Sequence, residues 1–177
     1  MSAKAESLTV GPTDAGQAVD VGPLITREHR DRVAGYLDLA GQEGAAVAVD
    51  GRHRSVPGDG FFLGPSVVDH VDPQMRVGRE EIFGPCCHIR PFDTEEEAVA
   101  LANDTPYGLA AAVWTENMSR ALRVSPQINC GICWVNSWFL RDLRTPFGGS
   151  KESGIGREGG VHSLEFYTEM QNVCIKI

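Results

Sequence analysis

Apolar residues recur at helical spacing after Thr26: His29, Val33, Tyr36 with Leu37, and Ala40 lie three or four apart before Gly41 to Gly44 stop the run. Thr26 is placed to cap that helix. Ahead of it, residues 1–25 are rich in Gly, Pro, Ala and Asp and read as irregular chain. Ala45 to Val49 is a short apolar strand, RHRSVPGDG is a turn-rich loop, and Phe61 to Val68 is extended but broken by Gly64-Pro65. Cys86 to Phe92 has strand character, and Thr94-Glu95-Glu96-Glu97 is a capping box opening a helix through Ala98, Leu101 and Ala102. Asn103 to Gly108 ends that helix. A strand (Leu109 to Thr115), a helix (Asn117 to about Val124) and a third strand (Gly131 to Asn136) follow. The order β-α-β-α-β with short connections predicts an α/β fold with one parallel sheet and right-handed crossovers. The mostly apolar strands predict cover on both faces.

Past Asn136 the rhythm stops. Ser137 to Gly160 is a long irregular stretch, and loops of that length inside a compact domain tend to be functional or disordered. Residues 161–168 suit a short helix, and Asn172 to Ile177 alternates like a strand, an edge that needs a partner. The expected organisation is an irregular segment over 1–25, a domain over 26–160, and a helix with a terminal strand over 161–177.

At 177 residues with 42% hydrophobic and 23% charged, the chain has the size and composition of one globular domain. Its formal charge of −8 argues against a nucleic-acid surface, which needs clustered cations. The longest nearly apolar stretch, Gly108 to Trp114, is far below the roughly 20 residues that span a bilayer. The N-terminus shows no export signal. Five cysteines, an odd number, fit a reducing cytoplasmic setting better than a disulfide scaffold.

Gly154-x-Gly156-x-x-Gly159 has the letters of a dinucleotide fingerprint but follows no hydrophobic strand, and no acid lies at the required spacing beyond it. Cys130-Gly131-Ile132-Cys133 is followed by the apolar Trp134-Val135 where a redox motif would open a helix, so these thiols read as small buried hydrophobes. The adjacent Cys86 and Cys87 are poor zinc chelators, and no metal site is expected. The five histidines are dispersed, and Glu95-Glu96-Glu97 reads as a solvated first helical turn.

Two segments carry more. In Arg79-Glu80-Glu81-Ile82-Phe83-Gly84-Pro85, a carboxylate and an aromatic two residues apart in extended chain share a face. The carboxylate can accept from ribose hydroxyls and the ring can pack on a flat heterocycle, although a strand-mouth acid and a core Phe have the same letters. In Asn136-Ser137-Trp138-Phe139-Leu140-Arg141-Asp142-Leu143-Arg144-Thr145-Pro146-Phe147-Gly148-Gly149, aromatics interleave with arginines. That composition suits an apolar pocket with a planar, bidentate anchor for a carboxylate.

Four stretches together resemble the aldehyde dehydrogenase superfamily: EEIFGP from Glu80, NDTPYGLA from Asn103, WVN from Trp134, and PFGGSKESGIGRE from Pro146. They occur in the family's order and spacing, and the similarity runs from about Lys4 to the last residue. NSWFLRDLRTPFGG followed by GIGREGGVHSLEFYTE is most similar to the hydroxymuconic and aminomuconic semialdehyde dehydrogenase branch. The resemblance implies part of that family's catalytic domain and a terminal strand, around Val173 to Ile177, that joins a sheet across a subunit interface. It further implies NAD as cofactor, Glu81 on the nicotinamide ribose hydroxyls, and Phe83 against the nicotinamide. Phe139, Arg141 and Phe147 would line the substrate tunnel, with Arg141, or Arg144 as second choice, binding the substrate carboxylate.

The resemblance covers only the family's C-terminal third. The nucleophilic cysteine, general-base glutamate, oxyanion asparagine, ribose-binding lysine and Rossmann glycine turn belong to earlier segments of the family. Oxidation by thiohemiacetal, hydride transfer and thioester hydrolysis needs those groups. The expectation is therefore a chain with no catalytic residue of its own, inactive alone. It would work as part of a homo-oligomer, with a chain that supplies the N-terminal portion, or as a non-catalytic assembly module on full-length subunits.

Overall fold

A computed structural model describes residues 1–14, 19–56 and 58–177, and the chain divides into two compact units, Met1–Pro91 and Phe92–Ile177. In the first unit, helix α1 (Ser2–Ser7) stands where irregular chain was expected, and the bridges Val10–Val21 and Leu24–Phe61 tie the following segment down. Helix α2 (Arg27–Gln42) begins as its sequence predicts, the Thr26 hydroxyl accepting from the His29 amide at 3.1 Å. Strands β1 (Ala46–Val49), β2 (Ser66–Asp69) and β3 (Cys86–His88) form a sheet in the order β1-β2-β3. β1 runs antiparallel to β2 with an irregularity between Val47 and Val49; β2 runs parallel to β3 in the register Ser66–Cys86, Val67–Cys87, Val68–His88.

As the central strand, β2 buries Ser66, Val67 and Val68. The Ser66 hydroxyl is satisfied, accepting from the Gly51 amide at 3.0 Å and donating to the Gly64 carbonyl at 3.4 Å. Leu37 and Ala40 from α2 pack with Ala45, Val68, Val71 and Val77 into one core cluster, against which Val47, Met75 and Ile82 also rest. Glu43 turns its carboxylate onto the amides of Arg76 and Val77, at 3.0 and 3.2 Å, at the start of the short helix α3 (Arg76–Arg79).

The second unit opens with helix α4 (Glu95–Asn103). The Thr94 hydroxyl accepts from the Glu97 amide at 3.2 Å, and the Glu97 carboxylate takes the amide of Asp93, one residue earlier than a capping box would place it. Strands β5 (Ala110–Val113) and β6 (Ile132–Val135) are parallel, from Ala110–Ile132 to Val113–Val135, connected through helix α5 (Met118–Val124) with Asn117 as its cap. The Arg123 guanidinium grips Glu95 at 2.6 and 2.8 Å and ties α5 to α4. A two-residue strand β4 (Tyr107–Gly108) pairs antiparallel with β7 (Ser150–Lys151), and helix α6 (Gly160–Tyr167) follows.

The expected single parallel β-α-β-α-β sheet is divided: β3 pairs with β2, whereas β5 and β6 pair with each other. Apolar runs identify strands but not partners, and β3 finds its ladder on β2, which ends at Asp69 where His70 turns left-handed with φ 56°. The terminal strand expected over Asn172 to Ile177 is not formed, since no ladder partner meets it. Val173, Ile175 and Ile177 stand exposed. Among the described residues, no helix is long and apolar enough to cross a membrane.

Leu37 is fully buried at the centre of the first unit, whereas Ile25 just before α2 is 83% exposed. Leu37→Ala is expected to lower urea-unfolding stability by about 2–5 kcal/mol, and Ile25→Ala by no more than about 0.5 kcal/mol. Equal midpoints for the two variants would place the core elsewhere.

Candidate functional site

The segment after α3 sorts two adjacent carboxylates by their partners. Glu80 receives the Arg76 guanidinium at 2.6 and 3.0 Å and the Tyr36 hydroxyl at 2.7 Å. The guanidinium first, then the hydroxyl, holds the Glu80 carboxyl below the usual carboxylate range, and donation to Glu80 raises the Tyr36 phenol. Glu81 is exposed and, among the described residues, has no hydrogen-bond or ion-pair partner, so both its oxygens are open to hydroxyl donors.

Phe83 departs from the extended chain that the sequence suggested. Its φ of 55° is left-handed, and its ring is 71% exposed. A bulky residue there costs on the order of 1–3 kcal/mol and persists only where its surroundings enforce it. They do so from α2. His29 Nε2 lies 2.8 Å from the Phe83 carbonyl, Arg32 Nη2 donates to the Ile82 carbonyl at 2.8 Å, and the His29 ring stacks near-parallel to Phe83 at 6.0 Å. In the sequence pattern His29 counted as an apolar-face position; the structure turns its ring to this segment instead.

In the second unit, the residues following β6 are redirected at Asn136, whose φ is 50° and whose side-chain amide bonds both the amide and the carbonyl of Thr115 at 2.8 Å. Trp134 donates its indole N–H to the Leu140 carbonyl at 2.7 Å, and its ring meets Trp138 at 5.1 Å and Phe139 at 6.3 Å, both tilted. Phe139 is also left-handed, with φ 58°, and exposed. Gly131 lets the chain return: a Cβ there would stand 1.5 Å from the Gly148 carbonyl oxygen.

The two arginines differ. The Arg141 guanidinium lies 4.1 Å from the centre of the Phe147 ring and donates to Glu158 at 2.9 Å, while the backbones of Phe147 and Glu158 exchange both hydrogen bonds at 2.8 Å. Arg144 is bound by its neighbour Asp142 through both carboxylate oxygens, and its side chain is 88% exposed. Phe147 and Glu158, with Leu109, Ile155, Arg157 and Phe166, line an open groove of about 370 Å³; of the four predicted substrate residues only Phe147 lines it, and Phe139, Arg141 and Arg144 do not. Sequence reasoning singled out Phe139, Arg141, Arg144 and Phe147 but passed over Glu158, the ion-pair partner of Arg141, and Trp138, which packs with Phe139 on Trp134.

Three of the five thiols are held in the neutral form by burial. Burial, with the neighbouring Cys87 second, pushes Cys86 up to about 11, and burial also raises Cys130 and Cys133. Gly154, Gly156 and Gly159 follow a two-residue antiparallel strand, unlike a phosphate loop, which follows a parallel one.

Comparison with known proteins places this geometry. The sequence model of the aldehyde dehydrogenase family matches residues 1–173. The chain is 58% identical over 180 residues to a 2-hydroxymuconic semialdehyde dehydrogenase of Pseudomonas sp. (strain CF600), covering 100% of this chain and 37% of that protein. It is 56% identical over 160 residues to a 2-aminomuconic 6-semialdehyde dehydrogenase of Pseudomonas sp., covering 89% and 33%. Among solved structures, betaine aldehyde dehydrogenase from Staphylococcus aureus in complex with NAD+ superposes with a TM-score of 0.86 at 38% identity, covering 94% of this chain and 33% of that one. An aldehyde dehydrogenase from Bacillus cereus gives 0.88 at 38% identity, covering 95% and 34%. The chain thus spans about a third of the length of the proteins it matches.

The thiol chemistry makes a prediction. Cys174 is exposed, while Cys86 is half-buried with its thiol raised to about 11. With iodoacetamide followed by peptide mass spectrometry, Cys174 is expected to be alkylated first. The Cys86 rate should climb about tenfold per pH unit from pH 7 to pH 10 without levelling, because only the thiolate reacts. A Cys86 rate that is already flat at pH 8 would show an activated thiol.

Proposed function

Because the chain belongs to the aldehyde dehydrogenase family, we propose that it forms the C-terminal part of an NAD-dependent enzyme that oxidises a carboxylated semialdehyde of the hydroxymuconic or aminomuconic type to the acid. The observation that carries this reading is Arg141, whose guanidinium sits over the ring of Phe147 and bonds Glu158, two residues that line an open groove. A guanidinium in that setting is matched to a carboxylate. The similarity to semialdehyde dehydrogenases of both kinds supports the substrate class.

In this reading Glu81 accepts the ribose hydroxyls, Phe83 packs on the nicotinamide, Phe139 and Phe147 are walls for the substrate chain, and Arg141 binds its far carboxylate, with Arg144 a weaker second choice. The open Glu81 carboxylate and the projecting Phe83 ring fit a ribose and a flat heterocycle. NAD, when bound, supplies the hydride acceptor. The reacting thiolate comes from outside these 177 residues, in keeping with the raised thiols here. The working assembly is cytoplasmic and oligomeric, with residues 173–177 adding to a neighbouring subunit's sheet.

A second reading, a non-catalytic assembly module that pairs with full-length subunits, draws on the exposed Val173, Ile175 and Ile177. One experiment separates the two. The chain is mixed with a chain carrying the N-terminal two-thirds of a 2-hydroxymuconic semialdehyde dehydrogenase, and NADH production is followed. Restored turnover is expected. Arg141→Ala should then raise KM for the carboxylated semialdehyde about 10- to 100-fold, the worth of a lost charged hydrogen bond. Its effect on kcat should be small, and Arg144→Ala should change KM little. Binding without turnover would favour the assembly module; an unchanged KM in Arg141→Ala would remove Arg141 as the anchor.

A further inference from the structure

We propose that His29 and Arg32 are positioning residues: from one flank of α2 they clamp the consecutive carbonyls of Phe83 and Ile82 and so hold the Phe83 ring in its projecting, left-handed pose. The use of that pose for a nicotinamide rests on the reading of Phe83 given above; the clamp itself does not.

Three residues apart on a helix, His29 and Arg32 face the same side. Their donors reach adjacent carbonyls at the same 2.8 Å. A carbonyl can only accept, so Nε2 of His29 carries the proton, and the ring that delivers it also lies near-parallel to Phe83 at 17°. One side chain therefore fixes both the backbone and the ring of the same residue.

The next position closes the device. A Cβ at Gly84 would stand 2.5 Å from a methyl of Val33, which is itself fully buried on α2. The turn thus sits directly on the helix, with His29, Arg32 and Val33 each engaging one of Phe83, Ile82 and Gly84. None of these contacts involves Glu81, whose carboxylate has no partner among the described residues. A positive φ at a phenylalanine that is 71% exposed is otherwise unsupported, since no burial of its own ring rewards it.

The test uses isotope-labelled chain and nuclear magnetic resonance, with nicotinamide mononucleotide as the probe. His29→Gln keeps an N–H donor at similar reach and His29→Phe keeps a ring without the donor; Arg32→Lys and Arg32→Met divide the second contact in the same way. Core methyl signals of Leu37 and Val68 report that each variant is folded. In the free chain, His29→Phe and Arg32→Met are expected to shift and broaden the Phe83 backbone and ring signals, while His29→Gln and Arg32→Lys leave them near their wild-type positions. The same two donor-less variants should weaken nicotinamide mononucleotide binding, read at Glu81 and Phe83, about fivefold each. Unchanged Phe83 signals in both donor-less variants, or His29→Gln as perturbed as His29→Phe, would overturn the clamp. If the free-state changes occur but the nucleotide moves no signal in the wild-type chain, the clamp stands and the assignment of Phe83 to the nicotinamide falls.

Discussion

The packing of α2 on the central strand β2 sets where every candidate cofactor contact of the first unit lies. Val33, Leu37 and Ala40 are buried on one face of that helix, so its rotation and height are fixed by the core. The neighbouring flank then presents His29, Arg32 and Tyr36 at defined points, and each grips a different part of the segment from Glu80 to Phe83. A displacement of Leu37 would move all three together. Stability and site geometry are therefore one quantity here, carried by the same sixteen-residue helix.

The division of labour between Glu80 and Glu81 follows from that arrangement. Two adjacent carboxylates have the same intrinsic chemistry, and only their partners distinguish them. The Glu80 carboxyl is held below the usual carboxylate range because an arginine and a phenol donate to it, which makes it a structural acceptor with most of its lone pairs engaged. Its folded pKa is depressed, so whatever it contributes is present above the ordinary carboxylate range and lost as pH falls through the lowered value. Glu81 keeps its acceptor capacity, having no partner among the described residues. The thiols show the converse: burial holds Cys86, Cys130 and Cys133 in the neutral form, suited to packing and poorly suited to attack.

Local signals in the sequence are legible where a single residue satisfies a single backbone group. Thr26 and Thr94 cap the helices that their positions announce, and the apolar runs at 46–49, 110–113 and 132–135 are strands. What the sequence could not convey were partnerships. Nothing in Cys86 to Phe92 says that its ladder is with Ser66 to Asp69, or that it ends at His88. Left-handed Phe83 and Phe139 are invisible to residue preferences, which expect glycine or asparagine at such angles. The site residues themselves were reached through family resemblance, whereas Glu158 and Trp138 emerge only from three-dimensional neighbours. The tail from Asn172 alternates correctly for a strand, but alternation is half of a strand; the other half is a second backbone.

The pairing of Arg141 with Glu158 bears on how a carboxylated substrate could be held. Of the five N–H donors on a guanidinium, Glu158 engages one, and the Phe147 ring covers a face of the plane without consuming any. The remaining edge donors stay in the plane, where a carboxylate can meet two at once. The backbone of Glu158 is held by exchange with Phe147, so the residue that bonds the guanidinium and the ring beneath it are tied together. Its negative charge offsets part of the attraction felt by an incoming carboxylate, and the uncommitted N–H donors of Arg141 supply the binding that remains. Arg144, wrapped by both oxygens of Asp142 and surrounded by water, has neither the fixed plane nor the spare geometry. In the proposed reading, preference for a carboxylated aldehyde over a neutral one would rest on a single planar fork, with an aromatic ring below it and an acid beside it.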